Sequence, residues 1–243
     1  MFEVRNEAED RAEILIYDLI GEHTDWWTGE KSGVSATAFK EALDEVSPKP
    51  IDLRIDSSGG DVFDAFAICS AIQNYPAQVT AYVDGIAASA ASYIAVVCDE
   101  VVMRDYAYLM IHCASSYACG NARSLEDTAA RLRNIDANLA AIYAKRSHMD
   151  VETVIDYMAD ETWFTATEAH EVGLCTEVAE TEERVTALLD PRVVNGFRRV
   201  PEGIGVMSEK PVESHARRTV SPQDVERASH EVIDGRIYRR EAK

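Results

Sequence analysis

The chain has 243 residues, which is enough for one large domain or for one domain with a tail. Hydrophobic residues make up 47% of it, and the formal net charge of −19 argues against a surface that binds nucleic acid. Residues 1–13 lack the apolar stretch of a signal peptide, and no apolar run is long enough to span a membrane. The five cysteines show no C-x-x-C spacing, so we expect no disulfide framework, no metal site and a reducing cytoplasm.

Strand and helix patterns alternate along the first part of the chain. Strands are predicted at residues 13–17, 51–55, 78–83, 101–103 and 108–111. Helices are predicted at residues 35–46, 62–74 and 93–97. This alternation indicates an α/β fold with a largely parallel sheet, and catalytic groups are expected at the carboxyl ends of its strands.

Residues 121–148 predict one long helix with a single apolar stripe. The stripe consists of Leu125, Ala129, Leu132, Ile135, Leu139 and Ile142. A helix of this length either projects to pack against another subunit or docks on its own sheet, and the spacing alone allows both.

Residues 165–168 form a capping box that opens a short helix, which Gly173 closes. After about residue 180 the apolar patterns decay, and prolines and short arginine pairs follow. We therefore predict a domain at residues 1–180 and a C-terminal tail at 181–243 that is extended, partly disordered or folded only in an assembly. The tail is almost neutral, so its arginine pairs are expected to be attracted weakly to the acidic body.

Four short segments carry candidate chemistry, although each also has an ordinary structural explanation. Ser89 lies among Gly and Ala residues at a strand-to-helix turn, where a substrate can approach closely and the helix start favours an oxyanion. A turn containing Gly59-Gly60 can present N–H groups, and His112 ends an apolar strand. Carboxylates stand at Asp160 and Glu161. Together these segments supply a serine, a base, an orienting acid and oxyanion donors.

The sequence at this point resembles the Clp-protease proteolytic subunit family. The resemblance rests on residues 57–60, 85–89, 110–112 and 161–169, which read SSGG, GIAAS, MIH and ETWFTATEA in the family's order. It covers residues 13 to about 178. It is nearest to the phage and prophage head maturation proteases, which share the patterns at 84–92 and 161–166 and the pair Asn121-Ala122.

The resemblance implies a ClpP/crotonase-like α/β fold, with parallel sheet layers, flanking helices and a long projecting helix. Carried over by position, Ser89 is the nucleophile and His112 the general base. Glu161 takes the place of the family's catalytic Asp. The backbone N–H groups of Gly60 and Ala90 fall at the oxyanion hole.

Three positions depart from the family pattern. Ser58 replaces the proline of the Gly-Gly turn, which makes the turn less rigid. Residues 113–115 differ in the region of the substrate groove, so the side-chain preference stays open. Glu161 carries an extra methylene compared with Asp, and Asp160 is the fallback for the third member of the triad.

The function implied by the resemblance is a serine endopeptidase without a cofactor, acting on proteins or peptides in a homo-oligomeric ring, either a heptamer or stacked rings. One setting is the trimming of phage scaffold or capsid proteins, in the host bacterial cytoplasm or on the procapsid. In another setting an AAA+ ATPase feeds the ring. That ATPase would be a separate chain, because this sequence lacks a nucleotide-binding loop. The alternative functions are a crotonase-fold acyl-CoA enzyme, a non-catalytic ring subunit and a Ser-Lys peptidase. The last is disfavoured because no lysine lies between Lys49 and Lys145.

Overall fold

The computed structural model describes residues 2–5, 10–24, 27, 29, 31–180, 188–189, 196–201, 204–206, 230–233 and 236–239. Contacts divide the chain into two units, Met1–Met207 and Ser208–Lys243. Most of the tail predicted at residues 181–243 lies outside the described residues. Among the described residues, no helix combines the length and the apolar character needed to cross a membrane.

The strands are β1 (Phe2–Arg5), β2 (Ala12–Ile16), β3 (His23–Thr24), β4 (Lys31–Ser32), β5 (Ile51–Ser57), β6 (Val79–Ala88), β7 (Glu100–Arg104), β8 (Tyr108–Ile111), β9 (Thr162–Thr165), β10 (Glu177–Ala179), β11 (Leu188–Leu189), β12 (Gly205–Val206), β13 (His230–Ile233) and β14 (Arg236–Arg239). The main sheet has the order β1-β2-β5-β6-β7-β10, and β8 pairs with both β6 and β9. Strands β2, β5, β6, β7 and β10 pair in parallel, whereas β1 and β9 are antiparallel to their neighbours. The second unit contains the antiparallel hairpin of β13 and β14.

The helices are α1 (Ala36–Val46), α2 (Val62–Gln73), α3 (Ala90–Val97), α4 (Ala122–Arg146), α5 (Val151–Ala159) and α6 (Ala166–Glu171). Their apolar faces meet the sheet in one large core. In α1, for example, the stripe of Phe39, Leu43 and Val46 is buried, as a helical spacing of three and four requires. Asn121 caps α4 by accepting a hydrogen bond from the Ser124 N–H at 3.0 Å.

Most elements up to Val178 follow the sequence prediction, including the long helix and the capping box of α6. One difference concerns β6, which was expected to end at residue 83 but continues to Ala88. The extension pairs in parallel with β8, so Ile86 lies opposite Tyr108 and Ala88 opposite Met110. This pairing joins distant parts of the chain, and local pattern does not reveal it. For the same reason α3 begins at Ala90, earlier than residue 93.

The division between the two units falls later than the boundary expected near residue 180. Ile204 is only 8% exposed and packs with Ile86, Ala88 and Met110 beneath the second half of β6. Part of the segment predicted as a tail therefore belongs to the first unit.

Candidate active site

Strand pairing brings the predicted site residues to one end of the sheet. Ser89 directly follows β6 and His112 directly follows β8, and these two strands run in parallel with Ala88 opposite Met110. Strand β9 runs antiparallel to β8 with Thr162 opposite Ile111, so Glu161 enters at the same end. Residues that end neighbouring strands in register lie close together, which explains how segments far apart in the chain converge.

The side chains of Ser89 and His112 form a hydrogen bond. Ser89 Oγ lies 2.7 Å from His112 Nε2. Burial lowers the pKa of His112 below its ordinary value, although the negative charges of Glu161 and Asp136 act in the opposite direction. The neutral imidazole is therefore favoured near neutral pH, and in that form an unprotonated Nε2 can accept the hydroxyl proton.

The backbone of Ser89 is strained and is held from several sides. Its φ of 54° and ψ of −124° lie outside the regions that a serine normally adopts. The Ser89 N–H donates to the Met110 carbonyl at 3.0 Å, and the Ser92 hydroxyl donates to the Ser89 carbonyl at 2.7 Å. Ser92 in turn contacts the hydroxyl of the buried Tyr143 at 2.8 Å. Strain of this kind persists only where the surroundings fix it, and it is common at active sites.

The Gly59-Gly60 turn lies directly against the turn that carries Ser89. Gly59 has a φ of +93°, and a Cβ added there would lie 2.6 Å from the Ala88 carbonyl oxygen and 2.9 Å from the Ala90 nitrogen. Only glycine fits this approach. Gly60 is exposed, and both it and Ala90 line the same cavity as Ser89. The Gly59-Gly60 turn and the start of α3 thus lie side by side at the cavity that Ser89 lines.

This cavity has a volume of about 740 Å³. Ser89 and His112 lie in its lining, and Leu132, Ile135 and Leu139 of α4 supply an apolar wall. Its lining also includes polar side chains, among them Asp61, Thr128 and Arg131, and a cleft of this size is suited to hold a peptide side chain or a small molecule.

Glu161 lies at the same end of the sheet as Ser89 and His112, but its carboxylate forms hydrogen bonds with groups other than His112. Its carboxylate is 2% exposed and accepts the backbone N–H of Arg198 at 2.6 Å and that of Arg199 at 2.7 Å. The Trp163 indole N–H lies 3.4 Å away. No hydrogen bond joins Glu161 to His112 within the part of the chain that the structure describes. The fallback residue, Asp160, is exposed and pairs with the Arg199 guanidinium at 3.2 Å.

The sequence did not predict the role of residues 196–201 at this site. The Phe197 ring lies 5.8 Å from the His112 ring and 5.5 Å from the Trp163 ring, edge to face in both cases. These residues fall outside the family resemblance, and Arg198-Arg199 stood out only as a charge pair. Asp136 was also missed: it accepts the Ala114 N–H at 2.7 Å and its charge acts on His112.

The sequence of the chain also matches known proteins. The family model described as Clp protease matches residues 35–182. The ATP-dependent Clp protease proteolytic subunit of Bacteroides thetaiotaomicron is 33% identical over 139 residues, which are 56% of this chain and 63% of that protein. Subunit 1 of the same name from Protochlamydia amoebophila is 32% identical over 142 residues, covering 56% of this chain and 68% of that protein. The match thus spans less than two thirds of the Bacteroides relative.

The fold also resembles a solved structure. A ClpP1 mutant from Listeria monocytogenes superposes with a TM-score of 0.58 at 20% identity, covering 70% of this chain and 92% of that one. This likeness confirms the predicted ClpP-like α/β fold. The nearer resemblance to the phage head maturation branch stays a prediction.

Proposed function

Since the chain belongs to the Clp protease family, we propose that it is a serine endopeptidase with Ser89 as its nucleophile. The observation that carries the proposal is the 2.7 Å hydrogen bond between Ser89 Oγ and His112 Nε2, set at the border of an open cleft. A serine hydroxyl is a weak nucleophile until a base removes its proton, and the lowered pKa of His112 keeps that base available.

The reaction proceeds in two stages. Ser89 Oγ forms a bond to the peptide carbonyl carbon while His112 accepts the hydroxyl proton, and the carbonyl oxygen becomes an oxyanion. The C–N bond then breaks, and His112 gives the proton to the leaving amine. A water molecule next attacks the serine ester, His112 again transferring the proton, and the free serine and the acid product result.

The backbone supplies stabilisation for the oxyanion. Gly60 and Ala90 line the cleft beside Ser89, so their N–H groups are the candidate oxyanion donors, and Ala90 begins α3, whose N-terminal end is electrically positive. Loss of one such donor typically reduces the rate by roughly 10²–10³-fold. Glu161 is the candidate for the third member of the set, because its negative charge acts on His112 and a carboxylate favours the charged form of the imidazole during the reaction.

A covalent probe tests the assignment of the nucleophile. A fluorophosphonate should modify the wild-type protein on Ser89, as read by peptide mass spectrometry, and hydrolysis of a fluorogenic peptide should stop. Ser89→Ala should abolish both signals. The matched control is Ser70→Ala, which changes an exposed serine on α2 and should retain labelling and hydrolysis. Labelling that persists in Ser89→Ala would show that the nucleophile is another residue.

Two physiological settings are supported by different observations. The names of the relatives, ATP-dependent Clp protease proteolytic subunits, favour a ring that receives unfolded chains from a separate ATPase. The sequence patterns at residues 84–92 and 161–166 favour the trimming of phage scaffold or capsid proteins in a bacterial host. Proteins that co-purify with the native assembly, identified by mass spectrometry, distinguish these settings, since the first requires an ATPase and the second a capsid or scaffold protein.

A further inference from the structure

A short segment from beyond the matched family region covers one side of the candidate active site. We call this segment, residues 196–201, the strap. It lies in the first compact unit, as do Ser89, His112 and Glu161. Ile204, just beyond it, is buried against Ile86, Ala88 and Met110 and fastens its C-terminal side.

The strap holds the carboxylate of Glu161 through its backbone. The Arg198 N–H reaches the two carboxylate oxygens at 2.6 and 2.8 Å, and the Arg199 N–H reaches Oε1 at 2.7 Å. The Arg198 guanidinium adds a positive charge 3.7 Å from Oε2. Hydrogen bonds to an ionised carboxylate are roughly twice as strong as bonds between neutral groups, so the strap is a competitive partner for this acid.

Phe197 places the strap over the imidazole as well. Its ring packs edge to face on His112 and on Trp163, and both Gly196 and Phe197 line the cleft that contains Ser89. An extended polypeptide that entered this cleft would therefore meet the strap. The side chains of Arg198 and Arg199 are 70% and 62% exposed, so the strap is held mainly by the backbone bonds to Glu161 and by the packing of Phe197 and Val200.

These contacts divide the proposed triad. Ser89 and His112 are joined, whereas Glu161 gives its hydrogen-bonding capacity to the strap. In a serine–histidine–acid set the acid fixes the orientation of the imidazole and stabilises its charged form, and the wrong orientation costs up to about 10⁴ in rate. The three residues of the proposed triad are therefore all present, but among the described residues Glu161 is not hydrogen-bonded to His112.

We propose that the strap is an autoinhibitory element, displaced when a polypeptide substrate occupies the cleft, so that Glu161 becomes free to bind His112. The inference rests on the proposed function, since it assigns a regulation to the same site. It also identifies what this part of the segment after residue 180 binds, which is the Glu161 carboxylate of the same chain.

Proline substitution tests the strap in the full-length protein, because proline has no N–H to donate. Arg199→Pro removes one bond to Glu161, whereas Arg199→Ala removes the side chain and keeps that bond. We expect Arg199→Pro to hydrolyse a fluorogenic peptide roughly tenfold faster than Arg199→Ala, because the imidazole gains its orienting acid. Phe197→Ala provides a second route to displacement and should also be faster than the wild type. Equal or lower rates in both Arg199→Pro and Phe197→Ala would overturn the inference.

A second measurement separates this inference from the proposed function. The His112 imidazole is titrated by NMR in the Ser89→Ala background, which needs no turnover. Release of Glu161 toward His112 should raise the His112 pKa in Phe197→Ala and Arg199→Pro relative to Ser89→Ala alone. No change in either variant means that the strap does not control Glu161, even if peptide hydrolysis is present. If the His112 pKa rises in these variants, but no protein that carries Ser89 hydrolyses the peptide or is labelled, the strap inference is supported and the peptidase function is rejected.

Discussion

Asp56 shows how a single buried carboxylate supports the turn that carries the nucleophile. Its Oδ1 accepts the Ile86 N–H at 3.1 Å, where β5 meets the second half of β6. A Cβ at Gly85 would lie 2.7 Å from the same oxygen, so a larger residue there would have to displace the Asp56 side chain. Burial is the main cause that raises the pKa of Asp56 from 3.8 to about 6, and the charge of Asp84 adds to the effect.

This shift predicts that Asp56→Asn stabilises the protein at high pH. A folded-state pKa above the unfolded value means that the folded protein binds the proton more tightly, so stability is lost as the pH rises from about 4 through about 6. Asparagine keeps an acceptor for Ile86 without the buried charge. The free energy of unfolding in urea should therefore rise by up to roughly 3 kcal/mol at pH 8 and change little at pH 4.

A destabilisation of Asp56→Asn that is the same at pH 8 and pH 4 would contradict the argument. It would mean that the contact geometry, and not the charge, decides the effect. The matched control is Asp61→Asn, which changes an exposed carboxylate that caps α2 and should not produce a gain at pH 8.

At the residue scale, the sequence indicated the candidate site residues but not the contacts of Glu161. Ser89 could be singled out by its Gly and Ala neighbours and His112 by its place at the end of an apolar strand, and the family motifs contain both. Glu161 could be placed by position, but its partners could not. Its contacts with Arg198 and Arg199 join residues far apart in the chain through backbone N–H groups, which leave no side-chain pattern in the sequence.

At the element scale, the Gly59-Gly60 turn is the clearest test of close packing. Gly59→Ala should eliminate peptide hydrolysis and destabilise the fold, since a Cβ would overlap Ala88 and the Ser89 side chain. Gly29→Ala is the matched control, because Gly29 also has positive φ, at +72°, but nothing lies within 4 Å of an added Cβ. An alanine in the left-handed backbone conformation costs about 1–2 kcal/mol in both variants. The difference between their free energies of unfolding in urea therefore measures the steric overlap at residue 59. Similar losses in the two variants would show that the approach of the turns is not decisive.

The long helix α4 has two halves with different environments. Leu139 and Tyr143 in the second half are 6% and 2% exposed, whereas Leu125 in the first half is 43% exposed. The second half therefore docks on the chain's own body, whereas the first half leaves the apolar side chain of Leu125 exposed. The sequence pattern left both alternatives open because a continuous stripe does not show where docking ends.

Helix α4 thus predicts an assembly contact between copies of the chain. Leu125→Glu should shift the sedimentation coefficient toward smaller species, because a buried unpaired charge disfavours an apolar interface. Ile155→Glu is a suitable control, since Ile155 on α5 is 41% exposed and lies outside the stripe. Leu139 is unsuitable because it is part of the monomer core. A wild-type protein that sediments only as a monomer would contradict the ring.

At the scale of the whole molecule, the fold followed from the alternation of strands and helices, and the family motifs named residues that strand pairing brings to one end of the sheet. The domain boundary near residue 180 stays a prediction, because it rests on where the apolar patterns end, and some described residues beyond it still contact the first part of the chain. Ile204 and the strap contribute to the first unit through single residues and backbone groups. Such contributions have no periodicity for a sequence pattern to detect.

Two truncations decide where the functional domain ends. A chain of residues 1–207 should unfold in urea with the same free energy as the full protein, because the division between the units lies there. A chain of residues 1–180 loses the burial of Ile204, worth roughly 1.5–3 kcal/mol, and leaves Glu161 without its N–H donors. It should unfold at lower urea concentration and, where folded, hydrolyse peptides faster than residues 1–207 because the strap is absent. Equal stability of the two truncations would instead support a domain that ends at residue 180, with the strap as a removable addition.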